Sequence, residues 1–473
     1  MTAGLFLGAI AMALATLIAR GKAVPGAPRA AARPAPPGFL AALLGASIAA
    51  LFLVQLRTIE IAAQTQVPFP PAYAGLPVVP IDEAAPAYGH TPPWVGNTVF
   101  ALTLGQSAAM LALYRVLRAR RPGRGAALGV ALASALMLAG ALRTPATTSE
   151  DLYLYAGFAH LGAAAYAPPA LPFQGEFRAL NRLWGTPLLP AAHGPLWIGL
   201  SRASLLAGPS LAAQIEAFRV GGALFFCASV GLLLLLRCEP AVVALFALNP
   251  ALVEQYVADG HNDIVCLALT MGAFLAVRRS PSLAVVLVAA AGAIKLPFAL
   301  LGSLAFATLA GRRQRLLSAA LALLLATGVT LLFSGGRYFV AAARVMQIYV
   351  FGDAFSAGAR VAAAAVALLA FGAALWARRF NRGASWSFLA FGTELFPWYV
   401  AWGIPYAYLE ASWFGVYLLS APLVAFNLTT VYGPTTVTRA AYALLVLTPL
   451  LLLVGQRLGT REARNAQRRT PGL

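Results

Sequence analysis

An all-α polytopic membrane fold follows from three properties of this 473-residue chain. Hydrophobic residues make up 60% of it and charged residues only 10%, with a mean hydropathy of +0.77, which is more apolar surface than a soluble core of this length can bury. Apolar runs of about 18 to 20 residues recur from end to end, the length that crosses about 30 Å of hydrocarbon. Lipid offers the backbone no hydrogen-bond partner, so each run must be helical. The basic residues are also confined to short loops: 20–33, 115–124, 237, 278–279, 312–315, 378–382 and 457–469 hold 23 of the 34 Lys and Arg. By the positive-inside rule these loops are cytoplasmic. The net charge of +19 therefore orients the chain against an anionic inner leaflet and gives no reason to expect a nucleic-acid partner.

In chain order, spans are predicted near residues 2–19, 39–56, 94–114, 126–142, 215–236, 241–258, 263–277, 282–296, 297–310, 316–334, 359–377, 384–397, 399–410, 412–430 and 438–456. Several are short, so about 12 to 15 transmembrane helices are expected. The first run carries its positive charge after the apolar stretch, which predicts a retained span with an outside N-terminus instead of a cleaved signal. Residues 21–38 read as a Pro- and Ala-rich cytoplasmic linker and 57–93 as a Pro-rich outer loop. These features divide the chain into an N-terminal unit, 1–92, and a main membrane domain, 93–473. Pro297 interrupts an apolar stretch, so 282–310 is predicted to be a hairpin or broken helix with Lys295 at its outer apex. Cys227, Cys238 and Cys266 lie in or beside spans without metal-ligand spacing and read as structural thiols.

The outer loop 143–209 differs from the others. It is long, contains an amphipathic stretch, Trp184, His193, Trp197 and a row of prolines, and is expected to form short interfacial helices. Its first part, TTSEDLYLYAGFAHLGAAAY (Thr147 to Tyr166), places Glu150 and Asp151 side by side where a span leaves the membrane. Carboxylates are scarce, with only 15 in the chain. Thr147 and Glu150 fit a capping box, with Asp151 in the first helical turn. Beside Tyr153, Tyr155 and Tyr166, however, the two acids are also placed to take a proton from a sugar hydroxyl stacked on the aromatic rings.

A second polar cluster, NPALVEQYVADGHNDIV, contains Glu254, Asp259, His261, Asn262 and Asp263 and also faces outward. The spacing of two between Asp259, His261 and Asp263 suits neither one helix face nor a common zinc pattern. A hydrogen-bonding site for sugar hydroxyls or a second substrate is expected, against the plainer reading of a helix cap with a polar turn. Lys295 is an ammonium inside an apolar run, a candidate functional group unless it snorkels to the headgroups. Arg337 and Arg344, seven residues apart, would share a helix face from which two guanidiniums can clamp a phosphate, although lipid headgroups would serve them equally. Glu394 precedes an aromatic run that includes Trp398 and Tyr399, residue types that commonly anchor a helix at the interface.

In this order the segments SEDLYLYAGFAHLGAAAYAPP, AAHGPLWIGLSR, NPALVEQYVADGHND, AGAIKLPFAL and LFPWYVAW, covering roughly 142–405, resemble the GT-C class of integral-membrane glycosyltransferases. Within that class the resemblance is to bacterial mannosyltransferases that use polyprenyl-phosphate mannose. It implies a GT-C-like fold in a bacterial inner membrane, with an extracytoplasmic active site and a cytoplasmic C-terminus. It also implies inverting transfer of a hexose, mannose by preference, from a polyprenyl-phosphate donor to a glycan, glycolipid or protein acceptor. The class places its catalytic base in the first large outer loop, which carries over to Asp151, with Glu150 as neighbour or alternative. Tyr153, Tyr155, His193, His261, Asn262, Asp263, Trp398 and Tyr399 become expected substrate contacts, and Lys295, Arg337 and Arg344 expected phosphate contacts. No cofactor is expected; some members of the class use a divalent ion, but none is predicted here. The chain departs from its relatives in having His193 where many carry Tyr before Gly-Pro, in placing the catalytic loop after a fourth span instead of a first, and in the 90 unmatched N-terminal residues.

Two other readings use the same residues. A secondary transporter would place Lys295, Asp263 and Glu394 near the middle of the bilayer, whereas the predicted topology puts them at one face. No internal repeat supports it. A flippase for lipid-linked sugars would not require Asp151.

Overall fold

The computed structural model describes residues 37–65, 93–119, 123–144, 151–183 and 186–350, together with Leu369, Gly372, Leu375, Trp376 and Trp402. The predicted span at 2–19, and those beyond 359 apart from these five residues, lie outside the described residues. The described chain is helical almost throughout. Helix α1 (Pro37–Thr65) packs on both α2 (Pro93–Ala119) and α3 (Arg124–Arg143). After α3 the outer-loop region forms α4 (Asp151–Leu161), two 3₁₀ turns at Gly162–Tyr166 and Gly175–Asn181, and a short antiparallel pairing of β1 (Arg182–Leu183) with β2 (Thr186–Pro187). It continues through α5 (Pro195–Arg202) and a 3₁₀ turn at Ala203–Ala207, so the short helices expected in 143–209 are present.

The remaining helices are α6 (Leu211–Leu235), α7 (Pro240–Ala247), α8 (Pro250–Val253) with a π-helical extension at Glu254–Ala258, α9 (Asp263–Ala276), α10 (Pro281–Ile294), α11 (Pro297–Ser303), α12 (Arg312–Ser334) and α13 (Arg337–Val350). Among the described residues five helices are long and apolar enough to cross a membrane, and six if the bent pair 240–258 counts as one span. Helices α9, α10 and the 297–308 segment are apolar but shorter. Each of the nine spans predicted between 39 and 334 coincides with one of these helices or helix pairs.

The pattern of exposure agrees with a lipid environment. On α3, Leu128, Leu132 and Leu136 form an exposed i, i+4, i+8 stripe, while Ala126, Ala133, Met137 and Ala141 are buried on other helices. Leu324, Leu332 and Phe333 are likewise exposed on α12. Apolar stripes of this length would be unfavourable in water. The buried sides carry small residues that allow close helix approach, as membrane packing favours.

Proline and side-chain caps set the breaks. Asn249 caps α8, its Oδ1 accepting from the N–H groups of Ala251 and Leu252. Pro250 cannot donate to the preceding turn, and the pair bends by 49°. Pro297 similarly opens α11 just after Lys295, which ends α10 with extended backbone.

Two buried polar contacts join α3 and the N-terminal helices to the rest. Arg219 on α6 is 1% exposed and donates through one guanidinium nitrogen to the carbonyls of Ala141 and Thr144 at the end of α3. That helix end would otherwise bury unsatisfied carbonyls. Gln106 on α2 donates to Gln55 on α1 at 2.9 Å, and Gln55 donates to the Glu254 carboxylate at 3.0 Å. Helices α1 and α2 are therefore tied to the π-helical segment by buried polar contacts.

Replacing Arg219 with Leu should remove the cap on α3 and lower stability by about 1.5 to 3 kcal/mol, the usual value of hydrogen bonds from a charged donor. The expected result is an earlier loss of the monodisperse peak when the detergent-solubilised variant is heated; an unchanged profile would show that water caps the helix equally well.

Candidate active site

The basic loop residues Arg124, Arg237, Arg278, Arg279, Arg312 and Arg313 lie at one end of the helices. At the other end four irregular segments meet: the start of α4, the turn 259–262, the break at Lys295, and the segment before α5. Each carries a polar side chain named by the sequence reading.

Asp151 is the first residue of α4. One of its oxygens, Oδ2, lies 3.0 Å from Nδ1 of His261 and accepts from the Tyr155 hydroxyl at 3.2 Å. Tyr155 sits one turn further along the same helix, so the second contact follows from i, i+4 geometry. The Asp151 side chain keeps 20% of its surface exposed while His261 keeps none, so the acid is partly accessible and the imidazole is fully covered. Burial alone would raise the Asp151 carboxyl. His261 outweighs that by charge and hydrogen bonding, with His193 and Lys295 contributing, and holds the group below the usual carboxylate range.

His261 reaches Asp151 because of the backbone around it. The π-helical turns let Asp259 N–H bond to the Glu254 carbonyl and His261 N–H to the Gln255 carbonyl. Gly260 then adopts a left-handed φ of 60°, where a side chain would be strained and would also strike Leu152 of α4. The turn thus packs directly on the helix that carries Asp151.

Lys295 forms the other half of the cluster. Its Nζ lies 2.9 Å from Asp263 Oδ1, and that oxygen also accepts from the indole N–H of Trp402. The Trp402 ring centroid is 5.2 Å from the Lys295 ammonium. Asp263 is fully buried, and its second oxygen, Oδ2, makes no hydrogen bond among the described residues. Asn262 is 1% exposed, and neither of its amide atoms is hydrogen-bonded among the described residues. Buried polar groups are nearly always satisfied, so an unpaired carboxylate oxygen and carboxamide side by side mark a place where a hydroxylated ligand can bind.

His193 completes the arrangement. Gly194 N–H donates to the Ile294 carbonyl at 2.8 Å, and a Cβ at 194 would lie 2.0 Å from the Ala293 carbonyl oxygen. Only glycine lets this segment rest on the end of α10, beside Lys295. The His193 ring packs edge-on against Tyr155, with centroids 5.2 Å apart. Burial, then the charge of Lys295, pulls its pKa down to about 4, so at neutral pH it is an uncharged imidazole. Burial and then the two nearby aspartates push the Tyr155 phenol up, so it remains a donor.

The structure therefore brings together Asp151, Tyr155, His193, His261, Asn262, Asp263 and Lys295. Tyr153 is buried on α4. Arg337 and Arg344 are exposed on α13 and make no ion pair among the described residues. Their neighbour Tyr338 does approach the site, accepting from the Leu296 N–H and packing against Tyr166 at 6.1 Å. Glu150, Trp398 and Tyr399 lie outside the described residues. Sequence reasoning overlooked Trp402, although it ends the aromatic run that contains Trp398, and Arg219, whose charge sits within a span. Among the described residues no group of three or more His, Cys, Asp or Glu side chains is arranged to hold a metal ion.

Residues 82–312 match the model of the MptA_B family, described as alpha-(1->6)-mannopyranosyltransferase, N-terminal domain. The match contains Asp151, His193, His261, Asn262, Asp263 and Lys295. The match supports the resemblance to mannosyltransferases. No curated protein and no solved structure matches the chain.

Two measurements check the geometry. Gly194→Ala would force its methyl group against backbone and should cost about 1 to 3 kcal/mol of stability, together with activity, because the strain falls on the α10 end that carries Lys295. A variant with wild-type melting and activity would contradict the close packing. For His193, the unfolded chain takes up a proton below about pH 6.5 that the folded protein refuses until about pH 4. Its contribution to stability is therefore present above pH 6.5 and lost as pH falls toward 4. His193→Gln should flatten the melting temperature over that window, and an equal slope in both proteins would show that the imidazole titrates freely.

Proposed function

We propose that this membrane protein, whose residues 82–312 match the N-terminal domain of an alpha-(1->6)-mannopyranosyltransferase family, transfers a hexose, preferably mannose, from a polyprenyl-phosphate sugar to an acceptor on the extracytoplasmic side of the membrane. The observation that carries the reading is the Asp151–His261 pair, joined in one cluster with the Lys295–Asp263 pair. A general base and a phosphate-binding cation are the two functions such a reaction needs from the protein.

In this reading the acceptor hydroxyl gives its proton to Asp151 as its oxygen attacks the anomeric carbon. The bond from that carbon to the phosphate oxygen breaks, and polyprenyl phosphate leaves with the bonding electron pair. A single displacement of this kind inverts the anomeric centre. The phosphate is a weak base and needs no general acid; Lys295 stabilises its charge. Before the donor binds, His261 and Lys295 keep Asp151 strongly acidic, which makes it a poor base. The donor's own negative charge offsets Lys295 and raises the basicity of Asp151 when a proton is to be taken.

Asn262, the second oxygen of Asp263 and the neutral His193 are the proposed contacts for sugar hydroxyls, with the face of Tyr155 beside them. Lys295 is the principal phosphate ligand. Arg337 and Arg344, on α13 beside the same end, are left to the outer part of the donor or to lipid headgroups. The prenyl chain lies between spans, consistent with the proposed topology of about 12 to 15 crossings and with a bacterial inner-membrane location. No divalent ion is part of the proposed chemistry.

Asp151→Asn should lower transfer from a labelled polyprenyl-phosphate mannose by about 10²- to 10⁴-fold, the range expected for loss of a general base, while donor binding persists. Full activity in the variant would remove Asp151 from its role; wild-type protein that binds donor and moves it across vesicles without ever transferring the sugar would favour a flippase.

A further inference from the structure

We propose that Trp402 is a positioning residue that governs how far Lys295 is available to the donor phosphate, by sharing the Asp263 oxygen that holds it. This rests on the reading of Lys295 as a phosphate ligand and adds a residue that neither the sequence reading nor the family match assigns.

Three contacts meet at one point. Asp263 Oδ1 accepts from Lys295 Nζ at 2.9 Å and from the Trp402 indole N–H. The Trp402 ring also lies beside the Lys295 ammonium and is itself supported by Phe298, at 5.0 Å between centroids. Phe298 is fixed just after Pro297, and its N–H bonds to the Lys295 carbonyl at 2.9 Å. Trp402 is therefore held by the same break that presents Lys295, and is 3% exposed.

The physical consequence concerns competition. A buried carboxylate with a single cationic partner binds it tightly, and a donor phosphate must then compete for the ammonium. A second donor on the same oxygen takes part of its negative charge and weakens that grip. The aromatic face supplies a cation–π contact that keeps the ammonium in place without a hydrogen bond of its own. Trp402 thus stabilises the arrangement in which Lys295 is fixed in position and Asp263 competes less strongly with a phosphate oxygen for it. A phenylalanine would keep an aromatic ring in place but lose the indole N–H, leaving Asp263 to hold Lys295 more strongly.

The test is steady-state transfer in detergent or nanodiscs, varying polyprenyl-phosphate mannose for the wild type, Trp402→Phe, Asp263→Asn, the double variant and Lys295→Ala. Trp402→Phe should raise donor KM about 3- to 10-fold, equivalent to about 0.7 to 1.4 kcal/mol, with kcat within about twofold by the logic of lost uniform binding. In the Asp263→Asn background the same Trp402 change should alter donor KM by less than about twofold, because the residue acts through that carboxylate. An unchanged donor KM in Trp402→Phe, a fall in kcat alone, or the same KM increase in both backgrounds would overturn the proposal. Lys295→Ala separates this from the underlying reading: if it leaves donor KM unchanged, Lys295 is not the phosphate ligand and the reading itself fails. If it raises KM while Trp402→Phe does not, only the role of Trp402 fails.

Discussion

The structure depends on placing two carboxylates, the partly buried Asp151 and the fully buried Asp263, at one end of a bundle whose interior is mostly apolar. A lone carboxylate in such a setting would protonate or draw in water. Here each is met by a nitrogen from a distant part of the chain: Asp151 by His261, and Asp263 by Lys295 and Trp402. The requirement fixes which segments must converge. The start of α4, the turn between the π-helical segment and α9, and the break between α10 and α11 cannot separate without exposing a charge to an unfavourable medium. Gly194 and Gly260 allow the backbones to come close enough for these contacts.

The same constraint explains why the irregular backbone is gathered at this end. In a membrane, π-turns, proline breaks and extended residues are tolerated where neighbouring protein satisfies the freed groups or where they line a cavity. The 240–258 pair bends at Asn249–Pro250, its following π-turns carry their carbonyls to Asp259 and His261, and Lys295 follows an interrupted helix. Where the helices are regular, as in α3 and α12, the large exposed hydrophobic side chains are mainly leucines, as a lipid surrounding favours. Regular segments provide the scaffold and broken segments provide the chemistry, an arrangement that also places binding groups on rigid supports.

Much of this was legible in the sequence. Span positions between 39 and 334 follow from hydropathy alone, because hydrocarbon thickness dictates helix length. Asp151, His193, His261, Asp263 and Lys295 stand out because ionisable groups beside apolar runs are costly and rare. Their pairing was not legible. The spacing of Asp259, His261 and Asp263 suits no regular helix, and only the π-turn followed by a left-handed glycine turns His261 toward α4. Arg337 and Arg344 share a helix as the heptad spacing suggests, yet the helix presents them outward, which depends on packing that periodicity does not encode. Trp402 was hidden in an aromatic run that reads as an interface anchor, and Arg219 in a span whose neighbours supply carbonyls unseen in one dimension.

In the proposed reaction the phosphate of a polyprenyl-phosphate sugar docks at Lys295 with its anomeric carbon facing Asp151. A cryo-electron-microscopy map of the protein with a non-transferable phosphonate analogue of that donor tests it most directly. The expected map has phosphonate density in direct contact with the Lys295 ammonium, sugar hydroxyls against Asn262 and Asp263, and the prenyl chain running between helices. Density for the headgroup on the exposed face of α13 alone, at Arg337 and Arg344 and away from Asp151, would contradict it.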